Sequence, residues 1–205
     1  MNRFSQVVVV FFVMVLVSGC STGRSISDER DAPEDYDISE DGTSNIVIME
    51  TSEGDIKIEL FEGEAPKTVE NFKRYVKDGF YDETVFHRVI DDFMIQGGGF
   101  TAEGRQKSTE EPIENEADNG RKNLRGKIAM ARTRDPNSAT SQFFINLVDN
   151  EDLDYSDDNP GYAVFGKVIE GMDIVDDIGG TETGFRFGMA DWPAQDIMIE
   201  NVTFG

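Results

Sequence analysis

A succession of short apolar runs of strand length, beginning abruptly at Ile46, is the feature that most restricts what this chain can fold into. Ile46 to Met49 form a continuous apolar run, and Ile56, Ile58 and Leu60 then alternate with Lys57, Glu59 and Phe61. A period of two puts successive side chains on opposite faces, which suits a strand and not a helix. Ser52-Glu53-Gly54-Asp55 lies between the two runs and supplies turn residues, so a β-hairpin is predicted. Ala65-Pro66 then opens a helix with Pro66 near its first position; Val69, Phe72 and Val76 recur at helical spacing, and Gly79 ends it. Further runs at residues 84–90, 93–96, 127–131, 142–148, 163–169 and 197–204 are strand-like in length and in β-branched or aromatic content. A second helix fits residues 172–178, stopped by Gly179-Gly180. The order begins with a hairpin and lacks strand–helix alternation. It predicts a mainly β fold, a closed eight-stranded antiparallel barrel capped by two α-helices.

The 205 residues suffice for one domain with appendages. The first 19 residues read as an address: Arg3 and the amino terminus precede eleven unbroken apolar residues from Val7 to Val17. About 20 apolar residues are needed to span a bilayer, so the run suits a signal peptide better than an anchor. Val17-Ser18-Gly19-Cys20 resembles a bacterial lipobox, and the chain's only cysteine stands where that motif requires the lipidated residue. The resemblance implies a lipoprotein signal peptide over residues 1–19 and a protein tethered to the cell envelope through acylated Cys20. Ser21, in place of an Asp retention signal, implies the periplasmic face of the outer membrane in a host with two membranes. Residues 20–45 form the lipidated N-terminus and an acidic linker, with eight acids and two bases after Cys20 and few large apolar groups. The folded domain is expected over residues 46–205, as a monomer. A formal charge of −22 disfavours nucleic acid as a partner, and one cysteine rules out an intrachain disulfide or a cysteine-rich metal centre.

Two polar stretches, residues 101–125 and the very acidic 149–161, are long for loops of a compact domain, and such loops often flank a site. Beside them lie two dense motifs. Phe86-His87-Arg88-Val89-Ile90-Asp91-Asp92-Phe93-Met94-Ile95-Gln96-Gly97-Gly98 places Arg88 on one strand and has Met94 and Gln96 pointing together from the next. Ile128-Ala129-Met130-Ala131-Arg132 precedes Ser141-Gln142-Phe143-Phe144-Ile145-Asn146. Together these resemble the signatures of the cyclophilin-type peptidyl-prolyl cis/trans isomerases, in the bacterial form, over essentially residues 45–205. The resemblance implies that Arg88 is the catalytic group and that Gln96 holds the substrate backbone. It implies that Phe93, Met94, Phe144 and Leu153 wall a proline pocket, and that Gln142 aligns Arg88 or the substrate carbonyl. The main chain at Ala131 and Arg132 would pair with the peptide before the proline, and Tyr162 stands where eukaryotic relatives often carry His. Proline-containing polypeptides are the implied partners, and no metal, nucleotide or organic cofactor is required. The same groove could serve a non-catalytic chaperone or assembly module that binds proline segments without turning them over.

The chemistry matches that residue set. Rotation about an amide costs about 18 to 20 kcal/mol, and no covalent bond is broken. At the twisted transition state the prolyl nitrogen loses conjugation and accepts a hydrogen bond better, so a fixed guanidinium beside it binds that state in preference to either planar isomer. Set against the family it resembles, the sequence has Arg132 where an Asn is common, and Asp152 where relatives carry Trp or Phe beside Leu153; the resemblance then implies a pocket rim without an aromatic group that cyclosporin-type inhibitors would meet. The acidic run 149–158 lacks EF-hand spacing and reads as solvated charge. His87, next to Arg88, is expected on the opposite face as a packed or hydrogen-bonded histidine.

Overall fold

The computed structural model describes residues 44–205; the leader, Cys20 and most of the acidic linker lie outside the described residues. The chain opens with the hairpin β1 (Ile46–Thr51) and β2 (Gly54–Leu60), followed by α1 (Pro66–Lys77). Short strands β3 (Thr84–Val85), β4 (Arg88–Ile90), β5 (Met94–Gly97), β6 (Lys127–Met130) and β7 (Phe143–Asn146) come next. Then follow β8 (Val164–Glu170), α2 (Met172–Gly179), the hairpin β9 (Thr183–Arg186) and β10 (Met189–Pro193), and β11 (Met198–Phe204). The predicted first turn closes between Thr51 and Gly54, whose φ of 134° suits glycine and whose Cβ would lie 2.9 Å from Ile174 of α2.

Nine strands form one antiparallel sheet in the order β3-β11-β1-β2-β8-β6-β7-β5-β4, and β9 pairs with β10 alone. This corrects the expected closed, eight-stranded barrel: the sheet is strongly curled but open, and it has an extra hairpin beside it. The reason lies in residues 84–90, which read as one strand. Thr84 and Val85 pair with Ile199 and Met198, whereas Arg88 to Ile90 pair with Gln96 to Met94. Between them the Phe86 N–H donates to Ile197 O and the His87 N–H to Gln96 O, both at 3.0 Å. One continuous piece of chain thus supplies both edges of the sheet, and curling brings those edges together without a continuous ladder.

Both helices pack on the inner face of this sheet. Val69, Phe72 and Val76 of α1 and Val175 and Ile178 of α2 join Ile95, Ile128, Met130, Phe143 and Ile145 in the main core. The first helix has no cap from Ala65; instead the Glu116 carboxylate accepts from the backbone N–H groups of Lys67 (3.1 Å) and Thr68 (2.8 Å). That carboxylate also takes the Thr68 hydroxyl at 2.7 Å, so the polar stretch 101–125 stabilises the helix dipole as well as connecting strands.

The alternate residues of the same strands, Met94, Ala129 and Phe144, face outward and form a second apolar cluster with Phe61 and Val164. All four residues of β7 are therefore buried, two on each face. A strand covered on both faces reads as an unbroken apolar run, which is why the pattern at 143–146 marks a strand but not which side carries the site.

Candidate active site

Register builds the site. Arg88 lies opposite Gln96, Gln96 opposite Phe144, Phe144 opposite Ala129, and Ala129 opposite Val164, one row across five strands on the outer face. Neighbouring strands are about 4.8 Å apart, so this row sets a cation, an amide and an aromatic floor in sequence over roughly 10 Å. Beside it, Met94 pairs with Ile90 and carries the apolar floor further along β5.

These side chains enclose a cavity of about 120 Å³ lined by Arg88, Phe93, Met94, Gln96, Ala131, Arg132, Phe144, Leu153 and Tyr162. Met94 and Phe144 are buried, while Phe93, Leu153 and Tyr162 are half-buried and form the walls. Tyr162 meets Phe144 edge to face at 5.6 Å. Of the residues singled out by the motifs, Gln142 alone does not line the cavity. It stands behind Gln96, whose Nε2 donates to Gln142 Oε1 at 3.0 Å. Gly99 makes room for it: a Cβ there would lie 2.5 Å from the Gln142 side chain.

Arg132 is a fixed part of the rim. Its guanidinium lies 4.2 Å from the Tyr162 ring centre, and its Nε and Nη2 donate to Gly161 O at 3.0 and 2.8 Å. The Ala131 N–H donates to Gln142 O at 2.9 Å, tying the end of β6 to the start of β7. Leu153 comes from a 3₁₀ turn, Glu151–Leu153, on which Asp152 is exposed and does not line the cavity.

The motifs did not single out the groups that hold these walls. Asn150 Nδ2 donates to Phe93 O at 2.9 Å and to Asn146 Oδ1 at 2.7 Å. Asn123 Nδ2 donates to Leu153 O at 3.0 Å, and the Asn123 N–H to Asp154 Oδ1 at 2.7 Å. Asn123 and Asn146 are buried, and each satisfies main-chain groups that the loops would otherwise leave unpaired. Asn123 and Asn150 lie in polar loops and carry no periodic signal, so only coordinates reveal them. Asp191 of β10 was also missed: its Oδ2 lies 3.6 Å from Arg88 Nε.

His87 is buried beneath the site, 4.6 Å from the Phe100 ring and 6.1 Å from Trp192, with Nε2 3.4 Å from Gln96 Nε2. Desolvation, helped by the neighbouring Arg88 cation, pushes its imidazole down to about 4. The unfolded chain should protonate near the ordinary value of about 6.5, so it binds more protons than the folded state below that pH. The associated stability is present above about pH 6.5 and is lost as pH falls towards 4. Between pH 7 and pH 5 the wild type should lose roughly 2 kcal/mol more unfolding free energy than His87→Gln, measured in urea at each pH. Equal pH slopes for the two proteins would show that the histidine is not held neutral.

Residues 46–204 match the family model described as cyclophilin type peptidyl-prolyl cis-trans isomerase/CLD. The chain is 58% identical over 158 residues to the peptidyl-prolyl cis-trans isomerase cyp18 of Streptomyces antibioticus, covering 76% of this chain and 95% of that one. It is 55% identical over 162 residues to peptidyl-prolyl cis-trans isomerase B of Escherichia coli, covering 77% and 98%. A crystal structure of a cyclophilin type peptidyl-prolyl cis-trans isomerase of Cryptosporidium parvum superposes with a TM-score of 0.65 at 29% identity, covering 78% of this chain and 97% of that one. The curled sheet, its outer-face pocket and these relationships agree: the chain belongs to the cyclophilin-type peptidyl-prolyl cis-trans isomerase family.

Proposed function

We propose that the chain accelerates rotation about X-Pro bonds in proteins folding in the cell envelope, with Arg88 as catalytic donor and Gln96 holding the substrate main chain. The observation that carries this is the small cavity whose lining brings Arg88 and Gln96 together with Met94 and Phe144. The pyrrolidine ring enters the cavity between Phe93, Met94, Phe144 and Leu153, while the carbonyl before it swings outside. Arg88 donates to the prolyl nitrogen as that atom loses conjugation, so its contact strengthens only on the way to the transition state. Apolar walls exclude water and strengthen that contact. A hundred-thousandfold acceleration requires about 7 kcal/mol of such preference. Neither isomer is favoured, so the equilibrium is untouched.

In this reading Cys20 is lipidated and residues 20–45 hold the domain away from the bilayer, at the periplasmic face of the outer membrane where the host has two. The signal-like leader, the position of the only cysteine and the acidity of the linker support it. The expected result is that full-length protein partitions with membranes and speeds the slow phase of a substrate protein whose refolding is limited by X-Pro isomerisation. Cys20→Ser should release it into the aqueous fraction while keeping the refolding activity. Retention of the Cys20→Ser protein in membranes would remove the lipid anchor from the account, and an unchanged slow phase would leave a proline-binding module without catalysis.

A further inference from the structure

We propose that Asp191 is a positioning residue for the reaction: its carboxylate holds Arg88 by Nε and so turns the terminal nitrogens of the guanidinium to the proline pocket. The inference rests on the reading of Arg88 as the catalytic donor. A guanidinium carries five N–H donors in a planar fork, and a long, half-exposed side chain samples many rotamers. Arg88 Nε lies 3.6 Å from Asp191 Oδ2, on the hairpin side, while Arg88 also lines the cavity. As an ion pair between groups 41% and 39% exposed, the contact is worth little to stability, so its consequence lies in orientation.

The backbone that carries Asp191 is anchored through its neighbour. The φ of Asp191 is 61°, a left-handed conformation that Asp tolerates better than most residues, and the β9–β10 register shifts between Met189 and Trp192, the stretch that contains it. The next residue, Trp192, is 1% exposed and packs 6.1 Å from His87, the chain neighbour of Arg88, and 6.3 Å from Phe100. Its Nε1 donates to Asp196 Oδ1 at 3.1 Å, and the same carboxylate takes both Nη atoms of Arg186 at 2.6 and 3.2 Å. Two adjacent residues of β10 therefore engage two adjacent residues of the catalytic strand segment, Asp191 with Arg88 and Trp192 with His87.

The test uses full-length protein and an X-Pro peptide, with exchange rates read by NMR over a range of peptide concentrations. Asp191→Asn keeps shape and the left-handed backbone but removes the charge. The expected result is a three- to tenfold fall in kcat with KM within twofold of wild type, a shifted Arg88 Nε resonance, and an unmoved Trp192 indole resonance. In an Arg88→Ala background the same substitution should change nothing. A full rate in Asp191→Asn while Arg88→Ala is inactive overturns the positioning role and leaves the catalytic reading standing. A rise in KM alone, or an equal fall in the Arg88→Ala background, also overturns it. A full rate in Arg88→Ala would instead sink the catalytic reading on which the inference rests.

Discussion

Replacing Arg88 by Ala should lower kcat/KM for X-Pro isomerisation by about 10²- to 10³-fold, the usual cost of removing one donor aimed at a transition-state acceptor. The loss should fall mainly on kcat, because Phe93, Met94, Phe144 and Leu153, the cavity-lining residues proposed to seat the proline ring, remain. Stability should hardly change: Arg88 is half-exposed, and its ion pair with Asp191 is a surface contact. Arg88→Lys separates charge from geometry. A lysine keeps the cation but loses the planar fork, so an intermediate rate is expected. A normal thermal transition together with near-normal kcat/KM in Arg88→Ala would mean that the acceleration comes from the pocket alone.

Phe72→Ala should cost about 3 to 5 kcal/mol of unfolding free energy, the range for deleting a buried aromatic ring whose surroundings collapse only partly. Phe72 is fully buried, with ring centres of Tyr81, Phe165 and Phe143 at 5.0, 5.1 and 5.9 Å. It joins α1 to β7 and β8 from the inner face, directly behind the strand that carries Phe144 on the outer face. Domains of this size commonly have only about 5 to 15 kcal/mol to lose, so the variant should be strikingly less resistant to urea, with a lower midpoint and an unchanged slope. A loss below about 1 kcal/mol would show that the inner core repacks freely and does not fix the position of β7.

Periodicity made the hairpin β1–β2, both helices and the strands β5 to β8 and β11 legible, because each buries at least one face with a regular spacing. It failed at residues 84–90, where pairing partners change within a run that looks uniform, and the barrel expected to close there is an open curled sheet instead. It also missed β9 and β10, in which only Trp192 and Pro193 are buried and whose hairpin carries Gly184 and Gly188; Trp192 anchors them, but one aromatic makes no period. The site residues came from motif density and not from alternation. Phe143 and Phe144 are equally apolar, and only the register with Gln96 and Ala129 shows that Phe144 faces the cavity. Asp191 was beyond reach because the contact with Arg88 depends on an irregular hairpin distant in sequence from both motifs.

The most direct test of the account is cis/trans exchange of a proline peptide, measured by NMR with a catalytic amount of protein and with the Arg88→Ala variant beside it. Uncatalysed X-Pro bonds interconvert over roughly tens of seconds or longer. The expected result is exchange accelerated by orders of magnitude in the wild type, the two isomers in unchanged ratio, and nearly all of the acceleration lost in the variant. Peptide resonances that broaden on binding while cis/trans exchange stays at the uncatalysed rate would contradict it.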